Sequence, residues 1–197
     1  VDAVAGHPCS TPILLALSTG MRLGEICALK WEDIDFGGGF LSVRRSLEHT
    51  AGLGLRFKPP KTASSVRRVD LPPETMTMLR SAKGLQAEQK LMLGGAYQNN
   101  DLVCCHVDGQ PFRPDHVSYH FRLILKRANL PHVRFHDLRH SHATWLLKSG
   151  VHPKVVQERL GHGTISITLD TYSHVLPSMQ EEAARKIGNL LRGALSE

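Results

Sequence analysis

The chain has 197 residues, 41% of them hydrophobic, enough to bury a core of ordinary size, and one compact domain is expected. Lys and Arg total 24 against 18 acidic residues, a formal net charge of +6, so a polyanion is the expected partner. Four cysteines (Cys9, Cys27, Cys104, Cys105) lack the spacing of a disulfide framework, no stretch approaches a membrane span, and the start VDAVAGHP is not a secretory signal, so a cytoplasmic protein is expected.

In chain order, TPILLALSTG and MRLGEICAL carry apolar residues at helical spacing with Gly20 between them, which predicts two helices joined by a tight turn. From Phe40 the pattern changes. FLSVRRSL alternates, GLGLRF follows a Gly-containing turn, and SSVRRVDLP alternates again before a double proline, which predicts a three-stranded antiparallel meander. Helices resume at Glu74 to Lys83, Asp115 to Ala128, Ser141 to Ser149, Pro153 to Arg159 and Ser178 to Leu195. Before the last of these, LGHGTISITLDTYSHV reads as a turn at Gly161-His162-Gly163 and then a polar linker. The fold class expected is α+β, mainly α, with a small three-stranded antiparallel sheet.

The basic residues fall in two clusters. Arg44, Arg45, Arg56, Lys58, Lys61, Arg67 and Arg68 stand with only Glu48 in opposition, and Arg113, Arg122, Lys126, Arg127, Arg134 and Arg139 form the second. On charge alone, a solvated face without a partner is the alternative.

Two constellations have chemistry in them. Arg22 and Glu25 stand at i and i+3, where a carboxylate can hold a guanidinium in one orientation for bidentate grip of a phosphate; a plain surface ion pair is the alternative. In HDLRHSHAT, His136 and Arg139 repeat that spacing at a helix entrance, with His140 next. His136 and His140 also have an i, i+4 spacing used by zinc. Zinc needs three or four ligands, however, and neither a Cys-x-x-Cys pair nor HExxH is present, so no metal is expected.

TGMRLGE, the lysine in KPPKTASSVRRVDL, HDLRH and LGHGTISITLDTYSHV, in that order, resemble the motif set of the tyrosine recombinase (phage integrase) family over about Leu14 to Val175. The resemblance implies a mainly helical catalytic domain over residues 1–177. It also implies that Arg22, Lys61, His136, Arg139, His162 and Tyr172 are the catalytic residues, Tyr172 being the nucleophile and Glu25 a support. By the same likeness the partner is double-stranded DNA, cut and rejoined through a 3′-phosphotyrosine without any cofactor, as in the integrases of mobile elements in a bacterial cell, at the nucleoid. Members of that family clamp DNA with an N-terminal core-binding domain. None precedes these motifs, and a start that is not methionine suggests a fragment of a longer chain. A type IB topoisomerase and a non-catalytic DNA-binding module are the alternatives.

The chemistry expected of these residues is specific. Arg22, Arg139 and His162 would stabilise charge on the nonbridging oxygens, Lys61, with Arg67 and Arg68 lowering its pKa, would protonate the leaving 5′ oxygen, and His136 would take the tyrosine's proton. Arg44, Arg45, Lys58, Arg67, Arg68, Arg113 and Arg134 are the expected DNA contacts. Tyr97, in a polar loop, and Tyr119, on a helix, are weaker candidates for the nucleophile. The tail, residues 178–197, places Met179, Ala183, Ile187, Leu190, Leu191 and Ala194 on one helix stripe. That stripe could dock either on its own domain or on a neighbour, and the resemblance implies that the helix passes to a neighbouring protomer in a homotetramer.

Overall fold

The computed structural model describes residues 2–4, 6–50, 52–59, 66–172 and 179–194. Helix α1 (Ser10–Thr19) stops at Gly20, whose φ of 66° closes the helix through its N–H on the Ala16 carbonyl, and α2 (Leu23–Cys27) follows at once. The two helices and tight turn expected from the sequence are therefore present.

The β region departs from a simple meander. Strands β1 (Ile34–Asp35), β2 (Phe40–Val43) and β5 (Arg67–Asp70) form a three-stranded antiparallel sheet in the order β1-β2-β5, while β3 (Ser46–Thr50) and β4 (Gly54–Lys58) make a separate hairpin. The stretch FLSVRRSL is thus two strands, because Arg45 leaves the ladder to pair with Asp33 and Glu32. The hairpin then rides over α2: a Cβ on Gly24 would lie 2.8 Å from the Leu47 carbonyl oxygen.

Helices α3 (Pro73–Leu93), α4 (Pro114–Arg127), α5 (Phe135–Lys148), α6 (Pro153–Leu160), α7 (Ile165–Tyr172) and α8 (Met179–Ala194) complete the described chain. Three of them correct the sequence reading. Gly84 does not end α3, since the following LQAEQKLML is rich in helix formers and Gln86 anchors that half to Trp31 and the Val103 carbonyl. Helix α5 starts six residues earlier than expected (135 against 141) and takes in the whole of HDLRH, because Asp137 accepts the Arg134 N–H at its entrance. The linker expected before Tyr172 is α7.

One large core joins α1, α2, both sheets, α3, α4 and the start of α5, through residues such as Leu15, Ile26, Leu41, Leu47, Leu79, Val117 and Phe135. A second, smaller cluster gathers Ala143, Leu147, Val156, Leu160 and Tyr172 from α5, α6 and α7. Helix α5 spans both, and Arg139, His140 and His142 sit where one gives way to the other. No helix of the described residues is long and apolar enough to cross a membrane. Lys61 lies outside the described residues, as does the chain at 173–178.

Candidate active site

The site begins at the α1–α2 turn. Gly20 packs so closely that a Cβ there would stand 2.7 Å from both His142 Cδ2 and Leu160 Cδ2. This contact presses the end of α1 onto α5 and α6, and the Gly20 carbonyl accepts from Arg139 Nη1 at 2.7 Å. Two residues on, Arg22 opens α2. Its N–H donates to Glu25 Oε2 at 2.8 Å and its Nη1 to Glu25 Oε1 at 3.0 Å, so the i, i+3 pair read from the sequence is formed. Glu25 is buried and is also gripped from β5 by Arg67, Nη1 to Oε1 at 3.0 Å and Nη2 to Oε2 at 2.8 Å. Burial works against this carboxylate, but the Arg67 fork and the Arg22 contacts outweigh it and hold its pKa below the usual range.

Arg67 is therefore a correction to the expected DNA contacts. It is only 8% exposed, donates Nε to the Arg159 carbonyl at 2.8 Å, and lies under Gly161, where a Cβ would meet its guanidinium. Turned inward, it supports Arg22 through Glu25 and is not placed to touch phosphate. Arg159 knits the same region together, donating to His142 Nε2, the Asp70 carbonyl and the Ser18 carbonyl.

Arg139 is 3% exposed, and among the described residues its buried Nη2 has no hydrogen-bond partner. Burial, and after it the charge of Arg22, pulls its pKa down to about 9. A cation held in this way, with a donor unused, is a ready receptor for an anion. His162 follows the left-handed Gly161 that caps α6. Its N–H bonds to the Gln157 carbonyl, and its Nδ1 meets Thr168 Oγ1 at 2.8 Å. Burial and then Arg139 and Arg22 lower its pKa to about 4, so it is a neutral imidazole near neutral pH. The same three groups, Arg22, Arg139 and His162, thus act on one another across three separate elements.

Tyr172 ends α7 and is 2% exposed, a packing residue of the second cluster and also a member of the site. Its hydroxyl meets His140 Nδ1 at 2.8 Å. His136, expected to take that proton, instead has its ring 5.0 Å edge-on from the ring of His140, and lines a surface pocket of about 430 Å³ with Leu23, Arg122 and Arg134. Burial, then His140, lowers the His136 pKa. Sequence reasoning weighed His140 only as a zinc ligand and passed over Thr168, His142 and Arg159. Helical spacing gave a signal for His142, which stands at i+3 from Arg139.

The other expected contacts are on the surface, most of them paired. Arg68 bonds Asp70 and stacks on Phe40 at 3.8 Å, Arg113 bonds Asp115, Arg134 bonds Asp137, and Lys58 pairs with Glu48. Arg44 is half-exposed, 3.9 Å from Asp33, whereas Arg45 is drawn in between Asp33 and Glu32. Tyr119 is exposed on α4 and Tyr97 contacts Cys105. Among the described residues no group of three or more His, Cys, Asp or Glu is arranged to hold a metal ion.

All of these site residues lie within residues 6–179, the stretch matched by the model described as the Phage integrase family. The chain belongs to that family. This integrase-family chain is similar to a XerC-like tyrosine recombinase of Caldanaerobacter subterraneus subsp. tengcongensis, 35% identical over 96% of this chain and 51% of the relative. It is also similar to the ICEBs1 integrase of Bacillus subtilis, 34% identical over 90% of this chain and 48% of that one. The chain spans about half the length of these curated relatives. Among solved structures it is similar to the Tn1549 transposon integrase in complex with transposon right end DNA, with a TM-score of 0.77 and 25% identity over 89% of this chain and 58% of that one. XerA recombinase is similar with a TM-score of 0.69 and 25% identity, over 94% and 60% of the two chains. The mainly helical domain with a small antiparallel sheet, expected from the sequence, is the fold of this integrase family.

Proposed function

We propose that this chain is the catalytic part of a site-specific DNA recombinase, the integrase of a mobile element, which cuts and rejoins double-stranded DNA through a 3′-phosphotyrosine on Tyr172. The observation that carries the reading is the buried Nη2 of Arg139, unpartnered among the described residues, in the charge field of Arg22 and His162, with the Tyr172 hydroxyl held by His140, the residue after Arg139 on α5. A scissile phosphate seated there would satisfy that donor and be held by both guanidiniums as charge builds on its nonbridging oxygens. Lys61 is the proposed donor of the proton to the leaving 5′ oxygen. The phosphotyrosyl bond keeps the energy of the broken phosphodiester, so resealing needs no nucleotide. DNA as the partner is supported by the DNA-bound Tn1549 integrase, and strand exchange over topoisomerase-like relaxation by relatives that are recombinases and integrases.

The assembly we propose is a homotetramer on two duplexes, formed at the nucleoid of a bacterial cell, with α8 passed to the next protomer. Ile187 and Leu191, two residues of its apolar stripe, are 56% and 58% exposed in the single chain, which supports a partner for that face. The test is incubation with nicked suicide duplexes carrying attachment sites of mobile elements, followed by a denaturing gel. Wild type forms a covalent complex and Tyr172→Phe forms none; a complex persisting in the variant overturns the assignment.

A further inference from the structure

We infer that His140, rather than His136, is the group that accepts the proton of Tyr172 when the tyrosine attacks phosphorus. The inference deepens the proposed recombinase reading and rests on it. It starts from a side-chain hydrogen bond at the nucleophile: Tyr172 Oη and His140 Nδ1 are 2.8 Å apart. Tyr172 has its ring packed among Ala143, Leu147, Val156 and Leu160, so the hydroxyl is the polar end of an otherwise apolar side chain and its direction is fixed by packing. His140 is fixed in turn, one residue after Arg139 on α5, with the edge of the His136 ring against its own.

A phenol left neutral is a poor nucleophile, and burial raises the Tyr172 pKa further, only partly offset by Arg139. Attack therefore needs a base in contact with the hydroxyl. For Nδ1 to accept from Oη, the His140 ring must carry its proton on Nε2, and its lone pair then faces the O–H. In the cleavage step the Oη–P bond forms, the hydroxyl proton passes to Nδ1 to give an imidazolium, the P–O5′ bond breaks, and O5′ takes a proton from the ammonium of Lys61. Resealing runs the same transfers backwards. The imidazolium returns its proton to the phenolate as the new 5′ hydroxyl, deprotonated by the Lys61 amine, closes the phosphodiester. The contact at Oη is to His140, not His136, whose place is beside His140, where it holds that ring edge-on.

Two measurements on the full chain test this. In the first, without DNA, the side-chain nitrogens of ¹⁵N-histidine-labelled protein report the tautomer: His140 should be an Nε2–H tautomer with Nδ1 as acceptor, and Tyr172→Phe should change its Nδ1 signal. An Nδ1–H tautomer overturns the inference. In the second, single-turnover covalent attachment is followed on a suicide duplex. His140→Phe should slow attachment by at least about a hundredfold, the scale of a lost general base, with DNA binding retained. A 5′-bridging phosphorothiolate should not restore it, since the deficit is at the nucleophile, whereas 3,5-difluorotyrosine at position 172, a more acidic phenol, should restore part of the rate. His140→Asn keeps a hydrogen-bonding partner without a basic nitrogen; a wild-type rate in that variant would reduce His140 to positioning and overturn its role as acceptor. Wild type that shows the expected tautomer but attaches to no duplex would tell against the recombinase reading and not against the His140 contact.

Discussion

On the outer face of the molecule three arginines each have a carboxylate of their own: Arg68 with Asp70 at 2.8 Å, Arg113 with Asp115 at 2.6 Å, Arg134 with Asp137 at 2.9 Å. In the centre, Arg22, Arg67 and Arg139 lie around Glu25, which bonds the first two and leaves a donor of the third unused. The contrast shows where the positive charge of this chain is available. Exposed pairs cost little to form or lose, because water and salt screen them. Buried guanidiniums in excess of carboxylates carry an energetic penalty that a bound anion would relieve. The net charge read from composition thus overstates the surface and understates the centre.

Breaking the central pairing should produce the largest effect. Arg67→Ala leaves the Glu25 carboxylate buried with Arg22 alone and is expected to cost about 3–5 kcal/mol of stability, measured by urea unfolding; a loss below about 1 kcal/mol, the size of an exposed pair, would erase the distinction between the two regions. Arg139→Ala sharpens it from the other side. Covalent attachment should fall by at least about a hundredfold, while stability falls less than in Arg67→Ala, since the cation removed has no carboxylate bonded to it. The reverse ranking would mean that Arg139 is structural.

Acid should act on the centre as well. Burial pulls the His142 pKa from 6.5 down to about 4, so the unfolded chain binds its proton more readily than the folded one. The stabilisation is complete above pH 6.5 and is lost as pH falls toward 4, by about 3 kcal/mol for this residue, and His142→Gln should flatten that limb in unfolding titrations. The smallest effects belong to the outer face. Lys58→Ala, Arg68→Ala or Arg113→Ala should each leave stability nearly unchanged, because water and salt screen these pairs, yet lower the slope of log affinity for DNA against log salt by about one where the side chain meets a phosphate. An unchanged slope in all three would place the DNA elsewhere.

Much of the site was legible in the sequence because its key pairs are local. Arg22 and Glu25, and His136 and Arg139, stand at i and i+3, and helical geometry alone puts them on one face. Arg67 was misread because its partner Glu25 is 42 positions away, a separation no periodicity reports. Helix α7 was missed for a different reason. Amphipathic patterns are read on the rule that apolar residues face inward, whereas α7 buries Thr168 and Tyr172 and leaves Ile165, Ile167 and Leu169 from 37% to 47% exposed. The sheet was recognised but its order was not, since alternation specifies strands and not which strand lies beside which.

That inverted helix makes the reactivity of Tyr172 a matter of populations. Among the described residues the segment is seated by the tyrosine ring and by two side-chain hydrogen bonds, His162 to Thr168 and His140 to Tyr172, each worth about 1 kcal/mol net. For an element tethered so lightly, a seated and a released form are expected to differ by only a few kcal/mol. Whatever surface covers Ile165, Ile167 and Leu169 enters that equilibrium directly, and each 1.4 kcal/mol by which it favours one form changes their ratio about tenfold. On the proposed recombinase reading, the apolar outer side of α7 would be a dial on the fraction of molecules with Tyr172 seated, adjustable from outside without altering any residue proposed to touch the phosphate.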